Sequence, residues 1–329
     1  MRLPVPRPQG YRQPAPPGTV HAVTTVDRPP GAGLPVVVLA NPSAGRGRHR
    51  GLLPSVAHRL TAGGHPVRVL DVWTPAQAEA ACHKAVADGA AALVTVGGDG
   101  TVHLALQAVA GTPVPIGVVP AGTGNDFAGN TGFPTDPLAA TDAIATALRG
   151  GRSHPIDLAR ITAADGTHRW YGSVLAAGID AIINERANRM RWPRGPRRYD
   201  LAILVELARL RPRRYTLRLD GVTHEPDAVL VAVGNCASYG GGMRICPAAD
   251  PTDGLLDVVV GGRFDRRTLL RVKPRLYPGT HVEHPLVRSF QARTVELAAA
   301  GITSYADGER VAELPVTITA VPAAVRLLR

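Results

Sequence analysis

The feature that most constrains the fold is a short apolar segment that runs into a glycine-rich turn. Residues Ala91–Val96 end in β-branched side chains, a pattern typical of a buried parallel strand. Val102–Ala110 predicts a helix, and Gly97-Gly98-Asp99-Gly100-Thr101 lies between the two. Glycine lets a ligand approach the backbone closely, and N–H groups at a helix start bind anions. The segment therefore predicts a phosphate site, with a plain turn capped by Asp99 or Thr101 as the alternative.

The first half of the chain repeats this arrangement. Leu34–Ala40 predicts a strand before Asn41-Pro42-Ser43-Ala44-Gly45-Arg46-Gly47, and Pro115–Val119 predicts one before Pro120-Ala121-Gly122-Thr123-Gly124-Asn125. The other predicted elements are a strand at Val67–Val72 and helices at His49–Ala62, Pro75–Ala87 and Pro137–Leu148. Alternating strands and helices indicate a parallel sheet, and ligands bind at the carboxyl edge of such sheets. Three turns rich in Gly, Asn and Asp are expected to meet there.

The second half has more strands and fewer helices. Its predicted strands are Pro155–Thr162, His168–Ala177, Tyr215–Asp220, Ala228–Asn235, Leu256–Val260, Ser289–Ala298 and Val316–Ala320, and its predicted helices are Ile179–Met190 and Tyr199–Leu210. Mostly antiparallel strands separated by turns favour a β-sandwich-like domain. The predicted fold class is α/β, with an N-terminal parallel-sheet nucleotide-binding domain followed by a β-sandwich-like domain.

Domain boundaries are predicted where these patterns change. Residues 1–33 are rich in proline and predict a flexible arm. Residues 34–155 form the α/β domain, to which residues 316–329 return, and residues 156–315 form the β-rich substrate domain.

Composition and missing motifs exclude several classes of protein. The three cysteines form no C-x-x-C pair, which favours a reducing cytoplasm over a disulfide framework. No apolar run has the length of a transmembrane helix, and the N-terminal stretch lacks the apolar core of a signal peptide. There is no P-loop lysine motif and no H-E-x-x-H, and His281-Val282-Glu283-His284 has the wrong spacing for a helical zinc pair.

Each of two acidic clusters in the second half can be interpreted either as a functional site or as an ordinary turn. Asp250-Pro251-Thr252-Asp253-Gly254-Leu255-Leu256-Asp257 offers carboxylates and carbonyls to a hard cation, or is a solvated turn before a strand. Asp307-Gly308-Glu309 offers two catalytic carboxylates, or is an ordinary hairpin turn.

Taken in order, these motifs resemble the diacylglycerol kinase and sphingosine kinase superfamily, in its bacterial soluble lipid-kinase branch. The set includes the turns named above, Asp126-Phe127-Ala128, Gly178-Ile179-Asp180-Ala181, Gly234-Asn235, Gly240-Gly241-Gly242 and both acidic clusters. It covers the chain from Pro35 to the C-terminus. The resemblance implies an NAD kinase/diacylglycerol kinase-like first domain and a lipid-kinase second domain. It implies ATP and Mg²⁺ as cofactors, and transfer of the γ-phosphate to a lipid hydroxyl of diacylglycerol or a sphingoid base.

The resemblance also implies a role for each matching residue. Asp99 acts near the phosphates and their Mg²⁺, and Asp307 and Glu309 match a pair assigned to general-base work. Asp253, with the carbonyls of Asp250 and Leu255, matches a structural Mg²⁺ site. ATP is expected to contact Asn41, Pro42, Ser43, Ala44, Gly45, Gly97, Gly98, Asp99, Gly100, Thr101, Val102, His103 and Thr123.

Two positions depart from the family pattern. His103 stands where the family usually has Asn, and Val72 stands where many members have a Thr that contacts the nucleotide. An NAD kinase-like enzyme is the nearest alternative, because the glycine–aspartate motif is shared. A non-catalytic basic module that binds membranes or nucleic acid is the other.

The basic character of the chain bears on its partners. The formal net charge is +11, and one group of arginines lies beside the apolar segment Tyr199–Leu210: Arg186, Arg189, Arg191, Arg194, Arg197 and Arg198. Such a group favours an anionic membrane surface, or is a solvated helix end. We expect ATP, a lipid alcohol and peripheral contact with an anionic membrane in the cytoplasm, and no nucleic acid; a homodimer is left open.

Overall fold

The structure is a computed structural model that describes residues 33–40, 48–62, 64–190, 201, 205–206 and 211–329. The predicted N-terminal arm up to residue 32 and the predicted ATP-contacting turn at residues 41–47 lie outside the described residues. So does most of the predicted helix Tyr199–Leu210.

Among the described residues, ten strands form one sheet, and four of them are its parallel part. Their order across the sheet is β4 (Ile116–Pro120), β3 (Ala92–Gly97), β1 (Val36–Ala40) and β2 (Val67–Val69). Every residue of β1, β3 and β4 is buried, as expected for strands covered on both faces. The parallel sheet predicted for the first half is therefore confirmed, although β2 is shorter than predicted.

Helices in this half connect the parallel strands and cover them. α1 (Arg48–Ala62) packs on α5 (Pro137–Arg149), and α2 (Pro75–Ala87) packs on α3 (Asp99–Val109). α2 starts as predicted, because Thr74 caps it in a capping box with Gln77 and Pro75 occupies its first position. The short helix α4 (Asp126–Asn130) lies between α3 and α5 in the chain.

Beyond β4 the same sheet continues with antiparallel strands. The long strand β18 (Val316–Leu327) pairs with β5 (His154–Ala163) along one edge. Along its other edge it pairs with β15 (Thr294–Ala298) and then with β4. Leu327 near its end pairs in parallel with Ile116 of β4. The other strands of this part are β6 (His168–Tyr171), β9 (Thr216–Leu219) and β10 (Val222–His224).

Six described strands form a second, antiparallel sheet. Their order is β14 (Val287–Ala292), β13 (Leu256–Gly261), β12 (Leu230–Gly234), β7 (Val174–Gly178), β16 (Thr303–Ala306) and β17 (Glu309–Glu313). One face of this sheet packs on the antiparallel part of the first sheet, with Val231 and Val258 against Ile161, Leu217 and Leu297. The β-sandwich-like second half is therefore confirmed.

The other face of the second sheet is covered by short segments. α7 (Arg266–Val272) and the 3₁₀ helices Lys273–Leu276 and Thr280–Glu283 pack over β12 to β14. α6 (Ile179–Arg189) follows β7 directly. A small separate sheet pairs β8 (Arg213–Arg214) with β11 (Asp227–Ala228).

Two predicted strands are each divided between the two sheets. His168–Ala177 becomes β6 and β7, because the chain leaves the first sheet at Gly172–Ser173, where the carboxylate of Asp307 accepts both backbone N–H groups at 2.9 Å. Ser289–Ala298 becomes β14 and β15 in the same way. There Asp220 accepts the N–H of Arg293 at 3.1 Å and that of Thr294 at 2.8 Å. A carboxylate from a distant part of the chain thus holds each crossing between sheets.

Candidate active site

Two glycine turns touch at the carboxyl edge of the parallel strands. Gly98 follows β3 and Gly122 follows β4, and a Cβ added to Gly98 would lie 3.0 Å from the Cα of Gly122. Asn125 adopts a left-handed conformation with φ of 55°, and its side-chain oxygen accepts the N–H of Gly122 at 2.8 Å. Because no Cβ fills this contact, a ligand can approach the backbone of both turns closely, as a phosphate site requires.

Asp99 occupies the first turn of α3, three residues before the predicted helix start. Gly98 is the N-cap, rather than Asp99 or Thr101. One oxygen of Asp99 accepts the N–H of Phe127 at 3.0 Å. Burial raises the pKa of the Asp99 carboxyl, the backbone N–H groups of Phe127 and Asp126 oppose that rise, and the Asp126 and Asp307 carboxylates add to it.

Asp307 lies at the tip of the β16–β17 hairpin, which confirms the predicted hairpin turn. Asp307 and Gly308 have φ of 51° and 84°, as a tight two-residue hairpin requires. The Asp307 side chain is 5% exposed, and its Oδ2 lies 3.6 Å from Nδ1 of His103, whose side chain is 6% exposed. The position at which the sequence departs from the family pattern therefore faces a predicted catalytic carboxylate.

Glu309 is placed differently from Asp307. It is exposed, and a Cβ added to Gly100 would lie 3.1 Å from its Oε1. Glu309 thus lies against the first turn of α3, whereas Asp307 points inside. The structure brings Asp99 next to the β16–β17 hairpin, which carries Asp307 and Glu309 and comes much later in the chain.

Asp126 joins the two halves of the site in a way the sequence did not reveal. Its Oδ2 accepts the N–H of Gly241 and its Oδ1 that of Gly242, both at 2.7 Å. Asp126 and the glycine run at 240–242 both belong to recognised motifs, but no sequence pattern connects them.

A cavity of about 570 Å³ begins at these carboxylates and runs under α7. Its polar end is formed by Asp99, Thr123, Asp126, Ser173 and Asp307. Its walls elsewhere are mostly apolar and come from the second sheet and its cover: Ile179, Val229, Leu230, Met243, Ile245, Val259, Phe264, Leu269, Leu270, Val272, Leu276 and Val287. Sequence analysis did not predict this cavity.

The other residues predicted to contact ATP differ in their burial and in whether the structure describes them. Asn41, Pro42, Ser43, Ala44 and Gly45 lie outside the described residues. Val102 is buried in the core of the first half, so only its backbone faces the edge. Thr101 packs against Gly97, and Thr123 is exposed at the cavity.

The predicted structural metal site at Asp250, Asp253 and Leu255 forms a turn before β13. Asp250 Oδ1 accepts the N–H of Thr252 at 3.0 Å, and Asp253 Oδ1 accepts that of Leu255 at 2.9 Å. Two exposed carboxylates and nearby carbonyls are the oxygen donors that Mg²⁺ prefers. In the described part of the chain, however, no three His, Cys, Asp or Glu side chains are grouped to bind a metal ion.

Protein groups already hold this turn in place. The buried Asp157 accepts the N–H of Gly254 and that of Ala323, each at 2.8 Å. It thereby ties the turn to the bulge in β18. An acidic residue inside the apolar strand Pro155–Thr162 was the one sequence signal of this role.

Comparisons with known proteins agree with this geometry. Residues 35–161 match the model of the diacylglycerol kinase catalytic domain. Residues 173–329 match the model of the YegS C-terminal NAD kinase beta sandwich-like domain.

Related proteins cover nearly the whole chain. A diacylglycerol kinase of Mycobacterium tuberculosis is 44% identical over 297 residues, which are 89% of this chain and 94% of that protein. A YegS-like lipid kinase of Stenotrophomonas maltophilia is 30% identical over 275 residues, 80% of this chain and 87% of that protein. A crystal structure of a diacylglycerol kinase from Bacillus anthracis has the same fold, with a TM-score of 0.66 at 20% identity, and covers 89% of this chain and 96% of that one.

Proposed function

Since the chain belongs to the diacylglycerol kinase superfamily and is a lipid kinase, we propose that it transfers the γ-phosphate of ATP to the hydroxyl of diacylglycerol in the presence of Mg²⁺. A sphingoid base is the other lipid alcohol of the same class. One observation supports this proposal above all others: buried carboxylates close one end of a long, mostly apolar cavity.

The cavity suits a lipid and not a polar acceptor such as NAD. A lipid alcohol has one polar end and apolar chains. The polar side chains of the cavity are concentrated near Asp99 and Asp307, and Tyr239, Lys273 and His281 are the others among its lining residues. Burying an acyl chain there removes apolar surface from water, which is favourable at about 25 cal/mol per Å². The acceptor hydroxyl would then lie beside the carboxylates.

Asp307 is the proposed general base. It forms part of the polar end of the cavity, and each carboxylate oxygen can accept a second hydrogen bond beside the one from Gly172 or Ser173. A lipid hydroxyl is a weak nucleophile at neutral pH, so a base must take its proton as the phosphoryl group arrives. Glu309 is exposed and beside Gly100, and we assign it to orienting groups at the start of α3.

The glycine turns are the proposed phosphate site. The N–H groups of Gly98, Asp99 and Gly100, and those of the residues that follow Gly122, would cradle the phosphates of ATP. Asp99 and Asp126 are the carboxylates positioned to hold Mg²⁺ there. When bound, the ion would neutralise charge on the phosphates, a task for which this chain has no P-loop lysine.

We also propose that the enzyme acts at an anionic membrane surface as a peripheral protein. None of the described helices has the length and apolar character required to cross a membrane. Of the arginines predicted to contact the surface, Arg191, Arg194, Arg197 and Arg198 lie outside the described residues, and Arg186 forms an ion pair with Glu206. The homodimer left open above stays untested.

Transfer of radiolabelled phosphate tests this function. The protein is incubated with γ-labelled ATP and Mg²⁺, and with diacylglycerol, a sphingoid base, a monoacylglycerol or NAD as acceptor. We expect a labelled lipid product from diacylglycerol that disappears with EDTA. Labelled NADP instead would refute the proposal in favour of an NAD kinase-like enzyme, and no product from any acceptor would favour a non-catalytic module.

The matched control is Asp99→Asn. It leaves the cavity intact and removes one charge, so product formation should stop while the protein stays folded. A folded Asp99→Asn variant with full activity would remove Asp99 from the mechanism.

A further inference from the structure

The outer surface of α7 and of the 3₁₀ helix that follows it is both basic and apolar. From Arg266 to Tyr277 the chain has five cationic side chains and no acidic one: Arg266, Arg267, Arg271, Lys273 and Arg275. All five are exposed. Leu270 and Tyr277 on the same segment are 57% and 55% exposed, high values for large apolar side chains. We call this segment, residues 266–277, the α7 surface.

The α7 surface is also the outer wall of the cavity. Val272 and Leu269 pack inward against the second sheet. Leu270 and Lys273 line the cavity although both are exposed, so the cavity reaches the protein surface beside them. An apolar cavity thus opens to the exterior next to exposed apolar side chains and a group of cations.

The acidic side chains around this surface do not cancel its charge. Asp265 caps α7 by accepting the N–H of Thr268 at 2.7 Å. Hydrogen bonds from Thr268 lower the pKa of Asp265, and the charges of Arg267 and Arg271 add to that effect. Glu283 is exposed on the neighbouring 3₁₀ helix. Between residues 262 and 286 the acidic side chains are Asp265 and Glu283, so the five cations of the α7 surface outnumber them.

We propose that the α7 surface docks on an anionic lipid bilayer and passes the lipid substrate directly from it into the cavity. Cationic side chains bind anionic headgroups, and exposed Leu and aromatic side chains insert at the boundary between headgroups and acyl chains. A soluble partner protein would explain the charge but not an apolar cavity that opens at the same place. The inference rests on the proposed lipid substrate and adds the surface through which it enters.

Vesicle sedimentation, without ATP or diacylglycerol, tests the docking itself. The test variant is Arg271→Gln/Arg275→Gln, neither of which lines the cavity. The control, Arg149→Gln/Arg152→Gln, removes the same charge from exposed positions at the end of α5 and in the loop that follows it. Vesicles of phosphatidylcholine with phosphatidylglycerol are compared with phosphatidylcholine alone.

We expect the test variant to bind the anionic vesicles about 30-fold more weakly than wild type, which corresponds to about 2 kcal/mol for two cations at about 1 kcal/mol each. The control should bind like wild type, and raised salt should remove the difference. Equal loss in both variants would attribute binding to net charge and overturn the proposal. Unchanged vesicle binding with lost binding to duplex DNA would assign the surface to nucleic acid and also overturn it.

A second pair of variants tests the apolar part. Tyr277→Ser should weaken vesicle binding about tenfold, since an inserted aromatic side chain contributes more than about 1 kcal/mol. Val222→Ser, on the exposed β10 strand, should leave it unchanged. If both bind equally, nothing inserts at Tyr277. Failure of the proposed kinase function is distinguished by a separate assay with dispersed short-chain diacylglycerol. If that assay gives no phosphorylated product while the four variants bind vesicles as expected, the kinase function is wrong and the docking surface stands.

Discussion

The same substitution at two neighbouring carboxylates is expected to change stability in opposite directions. Asp307 accepts two backbone N–H groups, one on each oxygen. In Asp307→Asn only one oxygen remains, and the new NH₂ group faces the other N–H. Asp99 accepts the N–H of Phe127 on one oxygen, which an Asn side chain retains. Both variants should lose activity, but only one should lose stability.

The magnitudes follow from these contacts. A buried N–H left without an acceptor costs about 1–3 kcal/mol, and at about 2 °C per kcal/mol for a chain of this size Asp307→Asn should melt roughly 2–6 °C lower. Burial and the neighbouring carboxylates raise the pKa of Asp99, so the native state binds its proton more tightly than the unfolded chain does. Ionised Asp99 therefore opposes folding at neutral pH, and Asp99→Asn should melt at the wild-type temperature or above it.

The assay combines thermal unfolding with kinetics. For Asp307→Asn we expect kcat to fall by about 10²–10⁴, the usual cost of losing a general base, with ATP affinity little changed. Glu309→Gln, at an exposed position, should change stability by less than about 0.5 kcal/mol. If Asp307→Asn melts as high as Asp99→Asn, Asp307 does not hold the Gly172–Ser173 crossing. If it also keeps wild-type kcat, it is not the base.

Three further predictions follow from contacts in and around the site. Gly122→Ala should abolish ATP binding in a calorimetric titration, because the new Cβ would overlap the neighbouring glycine turn. The control, Gly129→Ala, should bind ATP normally, since no atom lies within 4 Å of its new Cβ. His103→Leu should lower kcat about tenfold by removing a polar neighbour of Asp307, and His103→Asn should recover part of the loss. Burial lowers the pKa of His281, so wild-type melting temperature should fall as pH decreases below about 6.5, and that fall should be smaller in His281→Gln. Parallel melting curves of the two proteins against pH would contradict the last prediction.

The sequence predicted the parallel strands well because local signals determine them. β1, β3 and β4 are short, fully buried apolar runs, and Thr74-Pro75 marks a helix start by local chemistry alone. The carboxylates of the site were found through the order of the motifs. Their individual surroundings, such as buried Asp307 beside exposed Glu309, depend on tertiary packing and were not accessible.

Sequence analysis was wrong where distant groups decide the backbone path. His168–Ala177 has a continuous strand pattern. It is divided at Gly172, where the carboxylate of Asp307, more than a hundred residues away, accepts the N–H group and where Phe127 packs closely. The strand predicted at Val316–Ala320 was ended too early, because β18 continues past Pro322 to Leu327. In the structure a register shift between Val321 and Val325 accommodates Pro322, and Asp157 binds the N–H of Ala323 there. The cavity was missed for the same reason, since its walls come from many separate segments.

The pairing of β18 also has a consequence for biosynthesis. β4 gains its pairing with Leu327 only after synthesis has passed residue 327, more than two hundred residues after β4 itself. Until then a ribosome-bound nascent chain has an unpaired strand edge at β4, and such edges readily pair with other molecules. Separate expression of the two halves should therefore give insoluble products, while co-expression of both fragments should restore a folded complex.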